Sequence, residues 1–253
     1  SLIVFSAVIV LIMSCSDENA GEYSQIDYYL VVTDSIGIES GDSNYVFYWP
    51  MEACYTPRGQ IAVVDMLRNE VLFYSADGSF LRTVGEEGNG PGRFNTPYDI
   101  CFYPDGSFLV RCANGISLFD ADGNFQDRMI WPMYTPSLIN GLDDGGFIGI
   151  QTTMEGTYPD LWNTFELGKW KDAIDPETVY FSNDFQFPLP DEDGTVRVEE
   201  SRDHFITACA TQSGRVFCTL LSVDNFEVFG FEPDGSQYLH ITDEDYMRVP
   251  KTQ

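Results

Sequence analysis

Cysteines, histidines and tryptophans are the residues of this 253-residue chain whose types could do chemistry; it has six cysteines and two histidines. Cys209 and Cys218 flank Ser213-Gly214. If Ser213-Gly214 is a two-residue hairpin turn, the two cysteines form a non-hydrogen-bonded pair with Cα atoms about 4.5 Å apart. That lies within disulfide reach, and an oxidising compartment would favour the bond. A pair of buried free thiols is the alternative. Cys101 and Cys112 are offset about Asp105-Gly106, and Cys54 has no evident partner. His204 and His240 stand on separate strands with no His-x-Glu or clustered spacing. They do not build a zinc site and read as packing or surface residues. No nucleophile elbow, phosphate loop or HExxH helix is present, so no catalytic residue is assigned. Gly85 to Gly92 is glycine-rich, but Glu86, Glu87 and Pro91 make it a poor phosphate cradle. Tyr and Trp join stacking area to a polar handle, which suits glycan or peptide recognition. Tyr45, Phe47, Tyr48, Trp49, Trp131 and Tyr134 read mostly as packing. Trp162 and Trp170, in a stretch from Met154 to Asp175, are the better ligand-binding candidates.

The elements that must position these residues are announced by a repeated phrase. It reads Leu72-Phe-Tyr-Ser-Ala-Asp-Gly-Ser-Phe-Leu81, then Ser117-Leu-Phe-Asp-Ala-Asp-Gly-Asn-Phe-Gln126, then Phe229-Gly-Phe-Glu-Pro-Asp-Gly-Ser-Gln-Tyr238. Each copy is an apolar strand, an Asp-Gly turn and a second strand. Turn glycines at Gly59, Gly106, Gly145 and Gly214 mark an earlier hairpin in each unit. Recurrence at roughly 40–50 residues is the signature of a β-propeller blade. The fold class is therefore all-β, a β-propeller of four-stranded antiparallel blades. Four blades are expected, near Met51–Val84, Tyr98–Ile130, Ser137–Ser182 and Phe205–Ile241. Blade one reads as strands Glu52–Tyr55, Ile61–Asp65, Glu70–Ser75 and Phe80–Val84. The long third blade is explained by an insertion, Met154–Asp175. Tyr28 to Thr33 reads as an orphan outer strand with no blade of its own. A propeller must close its ring or leave edges exposed. Two readings follow, a compact four-bladed ring or a piece of a larger one; the expectation is the larger ring, with 26–253 as its propeller domain, incomplete at the C-terminus.

The formal net charge is −27, from 40 acidic and 13 basic residues. Such a field repels phosphate backbones, so no nucleic-acid partner is expected. Leu2 to Met13 is almost wholly apolar, too short for a comfortable membrane span and fitting a signal-peptide core, residues 1–14. Ile12-Met13-Ser14-Cys15 resembles a bacterial lipobox, with Cys15 as the lipidated residue. The polar, acidic run from Ser16 to Glu22 then reads as a lipid-anchor tether, residues 15–25. This places the protein in the cell envelope, anchored to the outer membrane, facing either the periplasm or the surface.

The segment from Val84 to Ile100, containing Gly88-Asn-Gly-Pro-Gly-Arg-Phe94, resembles the linkers of NHL-repeat propellers. Phe94 would tuck between blades and Pro97 would start the next inner strand. Ile36-Gly37, Gly41-Asp42 and Tyr45-Val-Phe47 are similar to the start of bacterial six-bladed β-propeller lipoproteins, where an aromatic strand follows. The resemblance implies a six-bladed ring, of which this chain carries about four blades. It also implies calcium as an optional ion in the central funnel, with Asp65, Asn69, Asp99 and Asn114 as oxygen donors. Asp and Asn are equally the ordinary strand-end residues, so none is assigned as a metal ligand and no cofactor is expected. The leading expectation is a non-catalytic module binding a protein, peptide or glycan. The alternatives are a calcium-supported lyase or hydrolase, and a structural subunit of an envelope assembly.

Overall fold

Short runs of β-branched and aromatic residues between Gly-containing turns dictate the architecture. The computed structural model describes residues 35–113, 115–131, 135–157, 160–186, 205–221 and 226–243. The chain divides into two units, Ser1–Ser35 and Ile36–Gln253. Residues 1–14, Cys15, the 15–25 tether, Tyr28 to Thr33, Asn114, Tyr134 and His204 lie outside the described residues. Among the described residues of the second unit, sixteen strands form four four-stranded antiparallel sheets, the blades of a β-propeller. Blade one is β1 (Pro50–Tyr55), β2 (Ile61–Asp65), β3 (Glu70–Tyr74) and β4 (Phe80–Val84). Blade two is β5 (Pro97–Phe102), β6 (Phe108–Cys112), β7 (Gly115–Phe119) and β8 (Phe125–Ile130). Blade three is β9 (Ser137–Gly141), β10 (Phe147–Thr157), β11 (Asp160–Trp170) and β12 (Thr178–Gln186). Blade four is β13 (Phe205–Ala210), β14 (Val216–Leu221), β15 (Phe226–Phe231) and β16 (Gln237–Asp243). Each blade is a simple meander, and the first strands of successive blades lie beside one another.

The core sits between blades rather than within them. Ala62, Val64, Val71 and Phe73 of blade one pack with Ile100, Phe108, Val110 and Phe119 of blade two. Cys101, Leu109 and Ile116 carry blade two onto Leu138, Phe147 and Trp170 of blade three. Ile148, Leu167 and Tyr180 meet Val216, Cys218, Phe229 and Phe231 of blade four. A middle strand is thus covered on both faces. It reads as a continuous apolar run, such as Val71-Leu-Phe-Tyr74, instead of alternating. Phe94 does lie between blades, fully buried and 5.5 Å from Phe119 in an edge contact. It rests on Gly85, where an added Cβ would stand 2.1 Å from the ring and φ is +90°. Tyr45 to Phe47 is not a strand. Instead, Tyr45 and Phe47 fold back onto Tyr74, with ring centroids 5.8 and 6.1 Å away.

One turn recurs seven times. In Ser75–Ser79, the Ser75 N–H donates to the Ser79 carbonyl and the Gly78 N–H to the Ser75 carbonyl, both at 2.9 Å. The same two bonds close Thr56–Gln60, Tyr103–Ser107, Asp120–Asn124, Leu142–Gly146, Thr211–Arg215 and Glu232–Ser236. This is a type I turn followed by a left-handed glycine in a bulge, a three-residue loop and not a two-residue one. Only the glycine needs positive φ, +83° at Gly78; no turn aspartate has it. The difference moves the register of β13 and β14 by one residue. Cys209 pairs with Phe217, and Cys218 with Ala208. A one-residue step sends the two side chains to opposite faces. Of the two readings of Cys209 and Cys218, the pair of free thiols is therefore the one this register permits.

The expected insertion is also absent as a loop. β10 and β11 pair without a break from Phe147↔Trp170 to Thr157↔Asp160. β12 follows β11 as far as Trp162↔Gln186. The extra residues lengthen three strands of blade three into an arm.

Candidate functional site

The meander gives the propeller two unlike faces. Each blade's first and third turns lie on one face, which is built from the seven repeated turns and the β11–β12 connection of blade three. The other face carries the entries to the first strands, the second turns and the arm of blade three.

The inner strands are stitched together by side chains. Glu52 Oε2 on β1 accepts from Ile100 N on β5 at 3.1 Å. Asp99 Oδ2 on β5 accepts from Leu138 N on β9 at 2.6 Å. Asn140 Nδ2 on β9 donates to the Ala210 carbonyl on β13 at 3.2 Å. Glu52 and Asp99 are also hydrogen bonded to each other. Burial first, then that bond and the charge of Asp99, push the Glu52 carboxyl far above its ordinary 4.5. Glu52 is thus held toward its protonated form beside Asp99. Burial, then the charges of Glu52 and Asp99, pushes the neighbouring Cys54 thiol up to about 12. Cys101 and Cys209 are raised, Cys112 to about 11 and Cys218 to about 12, each chiefly by burial. A thiol so held is neither a nucleophile nor a ready metal ligand near neutrality.

At the entry end of blade one, where Pro50 pairs with Asp65 and Glu52 with Val64, Asp65 organises an aromatic platform. Asp65 is fully buried at the end of β2. Its carboxylate accepts from Tyr48 N at 2.7 Å, Trp49 N at 3.0 Å and Arg68 N at 3.3 Å. Met66 N donates to the Trp49 carbonyl at 2.9 Å, which draws the β2–β3 turn against the same segment. The backbone is fixed, yet the side chains face outward. Tyr48 is 66% exposed, Trp49 55% and Leu67 60%. Arg68 is turned away: it pairs with Glu70 and donates to the Ser43 and Val46 carbonyls. Asn69, at φ +56°, accepts from Thr96 N at 2.8 Å and ties the turn to the next blade's entry. These three exposed apolar groups stand on backbone held by hydrogen bonds, so that backbone loses little freedom when a ligand stacks.

The residues singled out from sequence fall into different places. Trp170 is fully buried, stacks on Phe147 at 5.9 Å and donates its indole N–H to the Ile174 carbonyl at 3.0 Å. It is a core residue with no surface left for a ligand. Trp162 lies on the arm opposite Glu155, and its side chain is outside the described residues. Asp65 at the end of β2, Asn69 in the turn after it and Asp99 within β5 each bind backbone amides of a neighbouring segment. Among the described residues no group of three His, Cys, Asp or Glu side chains converges on a metal site. His240 stacks on Phe229 at 4.6 Å and sits 3.3 Å from Glu227 Oε2, on the sheet surface. Glu52 was missed. Its signal was one acidic residue in the inner strand of a blade, beside Ala53-Cys54.

No protein-family model matches the chain, and no curated protein matches it. Solved structures do. A protein of Bacteroides fragilis named as exported is similar at 11% identity and a TM-score of 0.40, over 81% of this chain and 74% of that one. Virginiamycin B lyase from Staphylococcus aureus is similar at 15% identity and 0.42, over 79% of this chain and only 56% of the lyase. A gluconolactonase from Xanthomonas campestris is similar at 11% identity and 0.36, over 77% and 75% of the two chains. It is the four meander sheets and their interlocking cores, not these likenesses, that make the described chain a β-propeller.

Proposed function

We propose that the chain is a non-catalytic ligand-binding propeller module of an envelope lipoprotein, part of a six-bladed ring with NHL-like linkers. Cys15 carries the lipid anchor, and the acidic run after it holds the propeller away from the outer membrane. The binding surface is the face that bears Tyr48, Trp49 and Leu67. One observation carries this reading: buried Asp65 fixes the backbone beneath two aromatic side chains that remain more than half exposed. Exposed rings need no such anchoring for stability, whereas preorganised rings suit recognition. The inner-strand groups support the same reading, since Asp99 and Asn140 are engaged with backbone and Cys54 is held as a thiol. The test is an array of peptides and oligosaccharides probed with the wild-type chain and with a Tyr48→Ala, Trp49→Ala double variant. Ligands that bind the first and not the second are expected. Binding that ignores both substitutions would move the site elsewhere.

A calcium-supported lyase or hydrolase is the second reading. Glu52, held toward its protonated form beside Asp99, favours it, because a carboxyl protonated at neutral pH can act as a general acid. Turnover of lactones or esters that needs calcium and disappears in Glu52→Gln would establish it over the first.

A further inference from the structure

The platform also indicates what kind of ligand it takes. An exposed Tyr–Trp pair offers π faces, which attract cations as well as stack on sugars. The charge around it separates these options. The chain carries −27, so an anionic partner is repelled and a neutral one gains nothing, while a cationic one is drawn in and steered. The local charges agree. Arg68, the basic residue of the adjoining turn, is neutralised by Glu70 at 2.6 Å. Arg93, in the linker tied to that turn through Asn69 and Thr96, is paired with Glu86 at 2.9 Å. Exposed Glu87 lies in the same linker. Arg68 and Arg93 are thus both engaged with carboxylates, so neither offers a free positive charge against a bound cation.

We propose that the Tyr48–Trp49 platform receives a lysine- or arginine-bearing peptide segment of a protein partner, with a cationic head over an exposed ring. This rests on the reading of that face as a binding surface. Trp49→Leu is the decisive variant, because it keeps apolar area and removes the π face. Titration calorimetry would use short oligolysine and oligoarginine peptides, a neutral oligosaccharide and oligoglutamate. The basic peptides are expected to bind, to weaken about three- to fivefold in Trp49→Leu, and to weaken further with added salt. The neutral and acidic probes are expected to stay unbound. Equal binding of basic peptides by wild type and Trp49→Leu would reveal diffuse attraction to an acidic surface and overturn the proposal. Oligosaccharide binding that Trp49→Leu abolishes would overturn it too, while leaving the face a binding surface. If neither the array nor any of these probes depends on Tyr48 or Trp49, the binding reading falls with it. Because Trp49 is exposed, an unchanged melting temperature in Trp49→Leu separates these outcomes from misfolding.

Discussion

The two faces of this propeller are made by opposite means. On one, the same five-residue turn appears seven times, each closed by the same pair of backbone bonds. In four of them an aspartate two residues upstream caps the residue after the glycine: Asp77 to Ser79, Asp105 to Ser107, Asp144 to Gly146 and Asp234 to Ser236. These bonds lower all four carboxyls, with the Ser75 hydroxyl bond leading at Asp77, the Ser107 and Ser236 hydroxyls at Asp105 and Asp234, and Lys169 at Asp144. The residues of this face complete one another. The other face has no common pattern: a clamped aromatic segment, a glycine-rich linker and an arm. Repetition keeps a fold, and departures from it are where a surface can differ from blade to blade.

The sharpest way to break the comparison is to unseat the irregular face. Phe94 anchors the glycine-rich linker in the core between blades one and two. Phe94→Ala should lower stability by about 3–5 kcal/mol, read by urea denaturation. A loss under half of that would mean the linker is held by its backbone bonds alone. Asp65→Ala comes next. It strands the Tyr48, Trp49 and Arg68 amides and should cost about 2–4 kcal/mol. It should also abolish platform-dependent binding although both rings remain. Asp65→Asn, which retains an amide oxygen as acceptor, should recover part of each. Binding untouched in Asp65→Ala would show that the clamp does not preorganise the rings.

A titration sets the two kinds of carboxyl against each other. Folded Glu52 holds a proton that the unfolded chain releases above its ordinary 4.5. The folded state then binds more protons, so this contribution is full below that value and is lost as pH rises toward the raised one. The lowered turn aspartates act in reverse, stabilising above their ordinary 3.8 and losing that as pH falls. Melting temperature followed from weakly acidic to alkaline pH should decline, and Glu52→Gln should flatten the decline while leaving the acid limb unchanged. An alkaline decline of the same slope in Glu52→Gln would place its origin elsewhere.

Sequence carried most of the fold and little of the site, for identifiable reasons. The expected strands of blade one match the observed ones within two residues, because both faces of the middle strands are buried and the runs are apolar throughout. Asp-Gly located the turns but not their type. Both turn types contain a left-handed glycine, and only the hydrogen bonding decides whether two or three residues form the loop. That one residue decided the cysteine pairing. The arm was legible as extra length, and Gly156 and Pro159-Asp160 are the turn signal that could have set strand pairing against loop. Tyr45, Phe47, Tyr48 and Trp49 stood out as a group. Their division into two half-buried and two displayed depends on Tyr74 and Asp65, each at least 16 residues away in sequence.

The smallest effect isolates the regular face from everything else. Gly59 closes the Thr56–Gln60 turn at φ +72°, and an added Cβ there meets nothing within 4 Å. Gly59→Ala therefore carries only the backbone penalty of a left-handed alanine, about 1 kcal/mol. Gly59→Asn should cost roughly half of that, because Asn tolerates the left-handed region better than Ala. Gly78 lies in the same kind of turn, but its Cβ would meet Ile36 Cγ1 at 3.4 Å, an ordinary contact. Gly78→Ala should then match Gly59→Ala, read as the difference in denaturation midpoint at constant slope. Neither should alter ligand binding, since both turns lie on the face away from Tyr48 and Trp49. A binding change in either, with stability lowered only this much, would mean that the two faces are coupled through the blade and are not the separable surfaces their construction implies.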